Sequence, residues 1–225
     1  MSDIEWKIAV GADETRAVYE PATSAQEHAV CVCAHGAGGN MSDRSILAVA
    51  KQLRSRGFGV VRFNFLYKQK GSGRPDAMPK LMATFAAVVE RTRAELLEKT
   101  SRPLIIGGRS MGGRAASMLA AEGFDANGLL LLAYPLHPPG QPEKLRDEHL
   151  RRITMPAIFF CGTRDPFCTP ALMERAIATI TAPCEMHWVE GADHSFHVLK
   201  SSGRNDAAVL DEVGDVSERW LSRLT

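Results

Sequence analysis

At 225 residues the chain is long enough to bury one substantial core, and its 27 lysines and arginines nearly balance 26 aspartates and glutamates, for a formal charge of +1. That balance gives no footprint for a nucleic-acid or acidic-polymer partner, and the three tryptophans and three tyrosines form no interleaved aromatic and basic stripe. No uninterrupted apolar run is long enough to cross a bilayer, and Met1-Ser2-Asp3-Ile4-Glu5-Trp6 contains no basic and apolar leader, so neither a membrane nor a secretory route is expected.

Residues 4–9 and 15–20, joined by Gly11-Ala12-Asp13-Glu14, predict a peripheral hairpin. The run Ala29-Val30-Cys31-Val32-Cys33-Ala34 predicts a buried strand that ends in His35-Gly36-Ala37-Gly38-Gly39-Asn40. A loop of small residues lets backbone N–H groups converge on an anion, and it supplies one candidate oxyanion donor, the Ala37 amide. His35 and Gly36 open this loop; the position of His35 favours a structural hydrogen-bonding role over that of a base. Nucleotide binding is set aside, because the loop lacks both the Gly-Lys-Ser/Thr ending and the Gly-x-Gly-x-x-Gly spacing.

An amphipathic helix is predicted over residues 43–56, with Ile46, Leu47, Val49, Ala50 and Leu53 apolar, followed by a strand over 60–65 in which Arg62 reads as a buried anchor. Residues 67–79 read as irregular, either a surface connection or a rim carrying Arg74. The longest helical pattern covers 81–99 and is expected to bury Phe85, Val88, Val89, Leu96 and Leu97.

Pro103 bounds the apolar run Leu104-Ile105-Ile106-Gly107, which passes into Gly108-Arg109-Ser110-Met111-Gly112 and then into a helix over 113–123 with a small-residue face. Gly-x-Ser-x-Gly can be an ordinary turn with Ser110 as a helix cap. Strand, turn and helix in this order instead give a nucleophile elbow, with the Met111 amide as the second oxyanion donor. Met111 also reads as an apolar wall, and Arg109 as a residue turned into a salt bridge or hydrogen bond rather than toward substrate.

A central strand over 128–133 leads to Tyr134-Pro135-Leu136-His137-Pro138-Pro139-Gly140, in the usual zone of substrate contacts, which makes Tyr134 and His137 pocket candidates. The strand over 157–161 ends in Gly162-Thr163-Arg164-Asp165-Pro166-Phe167, where Asp165 is either a turn residue or a carboxylate pointing into the crevice, with Phe167 and Cys168 beside it. The strand over 184–189 leads to His194, and a helix over 210–224 closes the chain with Val213, Val216, Trp220 and Leu224 inward.

Strands separated by helical segments, with no linker or repeat, predict an α/β fold of one domain over 1–225. It has a mostly parallel central sheet flanked by helices on both faces and no large cap. Five cysteines, several of them in buried strands, form no zinc framework, so no metal and no cofactor are implied and the reducing cytoplasm is the expected compartment. Cys168 is expected to be partly exposed.

The chain order Ser110, Asp165, His194 fits nucleophilic catalysis. A serine hydroxyl needs a neutral imidazole to take its proton, and a carboxylate on the other ring nitrogen fixes the tautomer and stabilises imidazolium. These residues with the His35-Gly36 turn resemble the α/β-hydrolase superfamily over about residues 29–200. The motifs His35-Gly36-Ala37-Gly38-Gly39, Arg62-Phe63-Asn64-Phe65, Tyr134-Pro135-Leu136, Gly162 through Phe167 and Asp193-His194-Ser195-Phe196 are similar to its small dienelactone-hydrolase-like branch. That branch includes a testis-expressed hydrolase-like protein and a subunit of a histone acetyltransferase complex. Ser110 stands where true dienelactone hydrolases use cysteine, which turns the implied activity from dienelactone cleavage toward ester or thioester hydrolysis. The expected function is a serine hydrolase, a carboxylesterase acting on small esters or thioesters. A catalytically weak binding scaffold and an amidase or peptidase are the alternatives, and no protein partner is specified.

Overall fold

The computed structural model describes residues 2–224; Met1 and Thr225, the outer limits of the expected 1–225 domain, lie outside the described residues. Strands β1 (Ile4–Val10) and β2 (Asp13–Glu20) form the edge hairpin, antiparallel to each other. They are followed by β3 (Ala29–Ala34), β4 (Phe58–Phe63), β5 (Leu104–Arg109), β6 (Gly128–Leu132), β7 (Ala157–Gly162) and β8 (Cys184–Val189). The sheet order is β1-β2-β4-β3-β5-β6-β7-β8; β2 meets β4 antiparallel, and every pairing from β4 to β8 is parallel.

The helices are α1 (Arg44–Arg54), α2 (Leu66–Gln69), α3 (Met78–Thr92), α4 (Met111–Ala121), α5 (Pro170–Ile177) and α6 (Asp206–Leu221). Alternation along β3 explains how both sheet faces are filled. Val30, Val32 and Ala34 join Phe85 of α3 and Ala116 of α4 in one core, whereas Ala29, Cys31 and Cys33 join Leu53 of α1 and Trp220 of α6 in the other. A fully buried side chain such as Phe85 contributes roughly 1.5–3 kcal/mol, so the uninterrupted apolar strands are what hold β5 rigidly at the centre. No helix among the described residues is long and apolar enough to cross a membrane.

Several boundaries differ from expectation for identifiable reasons. Pro79 sits in the first turn of α3, where its missing N–H is harmless, so that helix starts at Met78; it ends at Thr92 in a π-helical turn, Arg93–Leu97, that leaves Leu96 and Leu97 half-buried. Leu47 lies on the outer face of α1, because Ile46, Val49, Ala50 and Leu53 already form the inward stripe. Phe65 lies beyond β4 at the N-cap of α2, which runs from the end of the expected strand into the stretch read as irregular. Helix α5, with Pro170 in its first turn, was not expected at all.

Candidate active site

Serine 110 stands between β5 and α4 with φ 53° and ψ −119°, a conformation that costs a non-glycine residue about 1–3 kcal/mol and survives only where its surroundings enforce it. Two bonds do so: the Ser110 N–H donates to the Leu132 carbonyl at 2.8 Å, and the Arg114 N–H donates to the Ser110 carbonyl at 3.0 Å. The flanking glycines admit the turn. A Cβ on Gly108, whose φ is 153°, would lie 2.5 Å from the Ala34 carbonyl oxygen, and one on Gly112 would lie 2.6 Å from the carbonyl oxygens of Ala34 and His35. The elbow therefore rests directly on the end of β3.

The loops after β7 and β8 bring the other two groups to it. His194 Nε2 lies 2.9 Å from Ser110 Oγ, and His194 Nδ1 lies 2.7 Å from Asp165 Oδ2. The Asp165 side chain is fully buried, and its second oxygen accepts from the Phe167 N–H at 2.8 Å, so the carboxylate is held in one orientation. With Nδ1–H committed to Asp165, Nε2 presents its lone pair to the serine hydroxyl. Arg109 Nη2 donates to the His194 carbonyl at 2.6 Å, and the Phe167 ring lies 4.3 Å from the imidazole, so the histidine is fixed from two sides.

In the glycine loop after β3 the carbonyls of Gly36 and Ala37 are both tied. His35 Nδ1–H donates to the Gly36 carbonyl at 2.7 Å, and the Phe65 N–H donates to His35 Nε2 at 3.2 Å, which makes His35 a neutral strut. Burial, the largest cause, lowers its pKa from the ordinary 6.5. Tyr67 Oη donates to the Ala37 carbonyl at 2.7 Å, Asn64 Oδ1 accepts from the Met41 N–H at 2.9 Å, and Arg62, paired with Glu20 at 2.5 Å, also donates to the Met41 carbonyl. Among the described residues no backbone carbonyl accepts from the Ala37 or Met111 amide. Both residues line a cavity of about 550 Å³ together with Ser110, His35, Gly36, Phe167 and His194.

Three expected pocket residues are elsewhere. Ala133 takes φ 48°, which turns Tyr134 inward; its ring is fully buried and its hydroxyl donates to the Arg146 carbonyl at 2.8 Å. His137 is buried against α5, where Nε2 accepts from the Thr169 N–H at 3.1 Å and Nδ1–H donates to the Pro138 carbonyl at 2.9 Å. Cys168 is 1% exposed rather than partly open, because the turn after Asp165 folds it into the core below α5. Conversely, Arg114 and Arg146 line the cavity and Tyr67 braces its floor, none of which was expected. Arg114 carried a readable signal, since it lies four residues after Ser110 on the helix that Ser110 starts, and so shares its face. Residues 133–156 between β6 and β7 add only the short turn Leu150–Arg152, so no large cap covers the cleft.

An alcohol, an imidazole and a buried carboxylate bonded in series at the carboxyl edge of a mostly parallel sheet define a serine hydrolase working through an acyl-enzyme. The family model described as an alpha/beta hydrolase domain matches residues 27–222, and the chain belongs to that family. The fold is similar to an alpha-beta serine hydrolase homologue from Coxiella burnetii (19% identity, TM-score 0.75, 97% of each chain covered). It is similar also to a dienelactone hydrolase from Anabaena variabilis (17% identity, TM-score 0.74, 99% of this chain and 97% of that one). A third similar structure is Est1E from Butyrivibrio proteoclasticus with ferulic acid bound (17% identity, TM-score 0.76, 96% and 99%).

Proposed function

We propose that this chain is a carboxylesterase of the small dienelactone-hydrolase-like branch, a single domain over 1–225 working in the cytoplasm on small esters or thioesters. Ser110 is the nucleophile, His194 the general base and acid, Asp165 the orienting carboxylate, and the Ala37 and Met111 amides the oxyanion donors. Ser110 Oγ attacks the carbonyl carbon while its proton passes to His194 Nε2, and the two amides hold the negative oxygen of the tetrahedral intermediate. Collapse breaks the bond to the leaving alcohol or thiol, which takes the proton from His194 and departs. Water, deprotonated by the same imidazole, then attacks the acyl-serine; the acid leaves and Ser110 recovers its proton.

The observation that supports this most strongly is the 2.9 Å contact between Ser110 Oγ and His194 Nε2 with Asp165 2.7 Å behind it. The uncapped cavity of about 550 Å³ suits a small acyl group and a small leaving group. Replacing His194 by Ala is expected to lower hydrolysis of p-nitrophenyl acetate by about 10⁴-fold or more. Undiminished turnover in that variant would contradict the assignment of His194.

A further inference from the structure

Among the described residues, every buried or half-buried arginine outside the cleft is matched with a carboxylate: Arg62 and Arg54 share Glu20, Arg56 pairs with Asp211 and Asp215, and Arg93, Arg102 and Arg204 pair with Asp125, Glu27 and Glu212. The cleft breaks that pattern. Among the described residues no carboxylate lies within 4.0 Å of the nitrogens of Arg114 or Arg146, although both line the cavity beside Ser110. Arg114 Nε is buried without any hydrogen-bond partner, and the Arg146 guanidinium makes a single long bond, 3.4 Å from Nη1 to the Pro135 carbonyl. The two arginines repel each other, for the charge of Arg114 adds to burial in lowering the pKa of Arg146. The carboxylate that the cavity does contain, Asp43, spends its oxygens on the Asn40 N–H and Nδ2, each at 2.9 Å. Arg109, also in the cleft, is already bonded to the His194 carbonyl.

Both arginines are held in place by backbone contacts rather than by counter-charges. Arg114 is fixed by α4, and the Arg146 backbone is gripped on both sides, its N–H donating to Leu136 and its carbonyl accepting from Tyr134. Behind them, burial, with the charges of Arg114 and Arg152, pushes His149 down to about 4, so no third cation is added. Two partly desolvated guanidiniums on fixed backbone, without an anion, are a recognition element for one.

We propose that Arg114 and Arg146 form a clamp for an anionic group, a carboxylate or a phosphate, on the acyl portion of the ester. This rests on the serine-hydrolase reading and narrows its substrate class. Arg114 lies one turn of α4 beyond Ser110 and lines the same cavity, so an anion held there belongs to the substrate whose carbonyl Ser110 attacks.

The test compares kcat/KM for monoethyl succinate, ethyl 3-phosphonopropionate and the neutral, length-matched ethyl butyrate, with fluorophosphonate labelling alongside. The wild type is expected to prefer one or both anionic esters by at least about 10-fold, and the favoured one identifies the group as carboxylate or phosphonate. Arg114→Met and Arg146→Met should each cut the anionic-to-neutral ratio by about 10- to 100-fold, and Arg114→Lys should retain part of it. A wild-type ratio at or below one, or a ratio unchanged in the methionine variants, overturns the clamp, and the wild-type value does so even if a variant fails to fold. Wild-type protein that neither labels nor cleaves any of the three esters refutes the hydrolase reading instead, whereas labelling and ethyl butyrate turnover without anion preference refutes the clamp alone.

Discussion

The hydroxyl of Tyr67 donates to the carbonyl oxygen of Ala37 at 2.7 Å and so ties down the glycine loop that lines the cavity with Ser110 and carries the proposed oxyanion donor. Burial, then the charge of Asp76, pushes the Tyr67 pKa up to about 12, so the phenol remains a donor throughout the working pH range. Replacing Tyr67 by Phe removes one bond and little packing. Its expected effect is a drop in kcat of about 10-fold with KM nearly unchanged, since a loosened donor weakens binding of the transition state rather than of the ground state. Steady-state kinetics check this; an unchanged kcat would show that the loop holds its shape without the tyrosine.

The contact of the elbow with β3 leaves no room for a side chain at Gly112. Gly112→Ala forces a methyl group to within 2.6 Å of two carbonyl oxygens, so it should lower stability by about 1–3 kcal/mol and displace Ser110 from His194. Denaturant unfolding and esterase activity measure the two effects. Full stability with full activity would mean that α4 does not sit so close to Ala34.

Much of this site was legible because its signals are local. The elbow needs only a strand, two glycines and a helix in sequence, and Asp165 and His194 each follow an apolar strand whose carboxyl end must face the crevice. That rule places loop backbones but not the side chains on them. Tyr134 follows the same rule, yet the positive φ of Ala133 and the reach of its hydroxyl to Arg146 turn it into the core. His137 is likewise claimed by the first turn of α5, a helix that was itself unforeseen because its apolar stripe is only eight residues long. Tyr67 was missed for the opposite reason, as its partner lies 30 residues earlier in the chain. Within Arg62-Phe63-Asn64-Phe65 the sequence marks only Arg62 as a buried anchor; in three dimensions Arg62, Asn64 and Phe65 each hold a different point of the glycine loop and its continuation.

Asp165 works through His194 by fixing the ring with Nδ1–H toward the carboxylate. Asp165→Asn keeps the shape but favours the wrong tautomer, so kcat should fall by about 10⁴-fold while the protein stays folded. A pH–rate profile and a circular dichroism spectrum check this together. Retention of more than about a tenth of the activity would remove Asp165 from its role.

His149 gives the fold an acid-labile point. Its Nε2 lies 2.8 Å from Ser117 Oγ, and burial together with Arg114 and Arg152 pushes its pKa from 6.5 down to about 4. Because the folded value is the lower one, the unfolded chain takes up a proton below pH 6.5 that the folded chain refuses until about pH 4. Stability should therefore fall with decreasing pH across that window, by up to about 3 kcal/mol from this residue. His149→Gln, which cannot titrate, should flatten the acid limb of a plot of unfolding free energy against pH. An acid limb identical to that of the wild type would place the lability elsewhere.

The measurement that bears most directly on Ser110 as the nucleophile is the mass of the protein after exposure to a fluorophosphonate, followed by peptide mapping of the adduct. One phosphonyl group is expected on Ser110 in the wild type, greatly slowed labelling in His194→Ala, and none in a folded Ser110→Ala variant. A full-strength adduct in Ser110→Ala, or an adduct mapped to another residue in the wild type, would contradict the account.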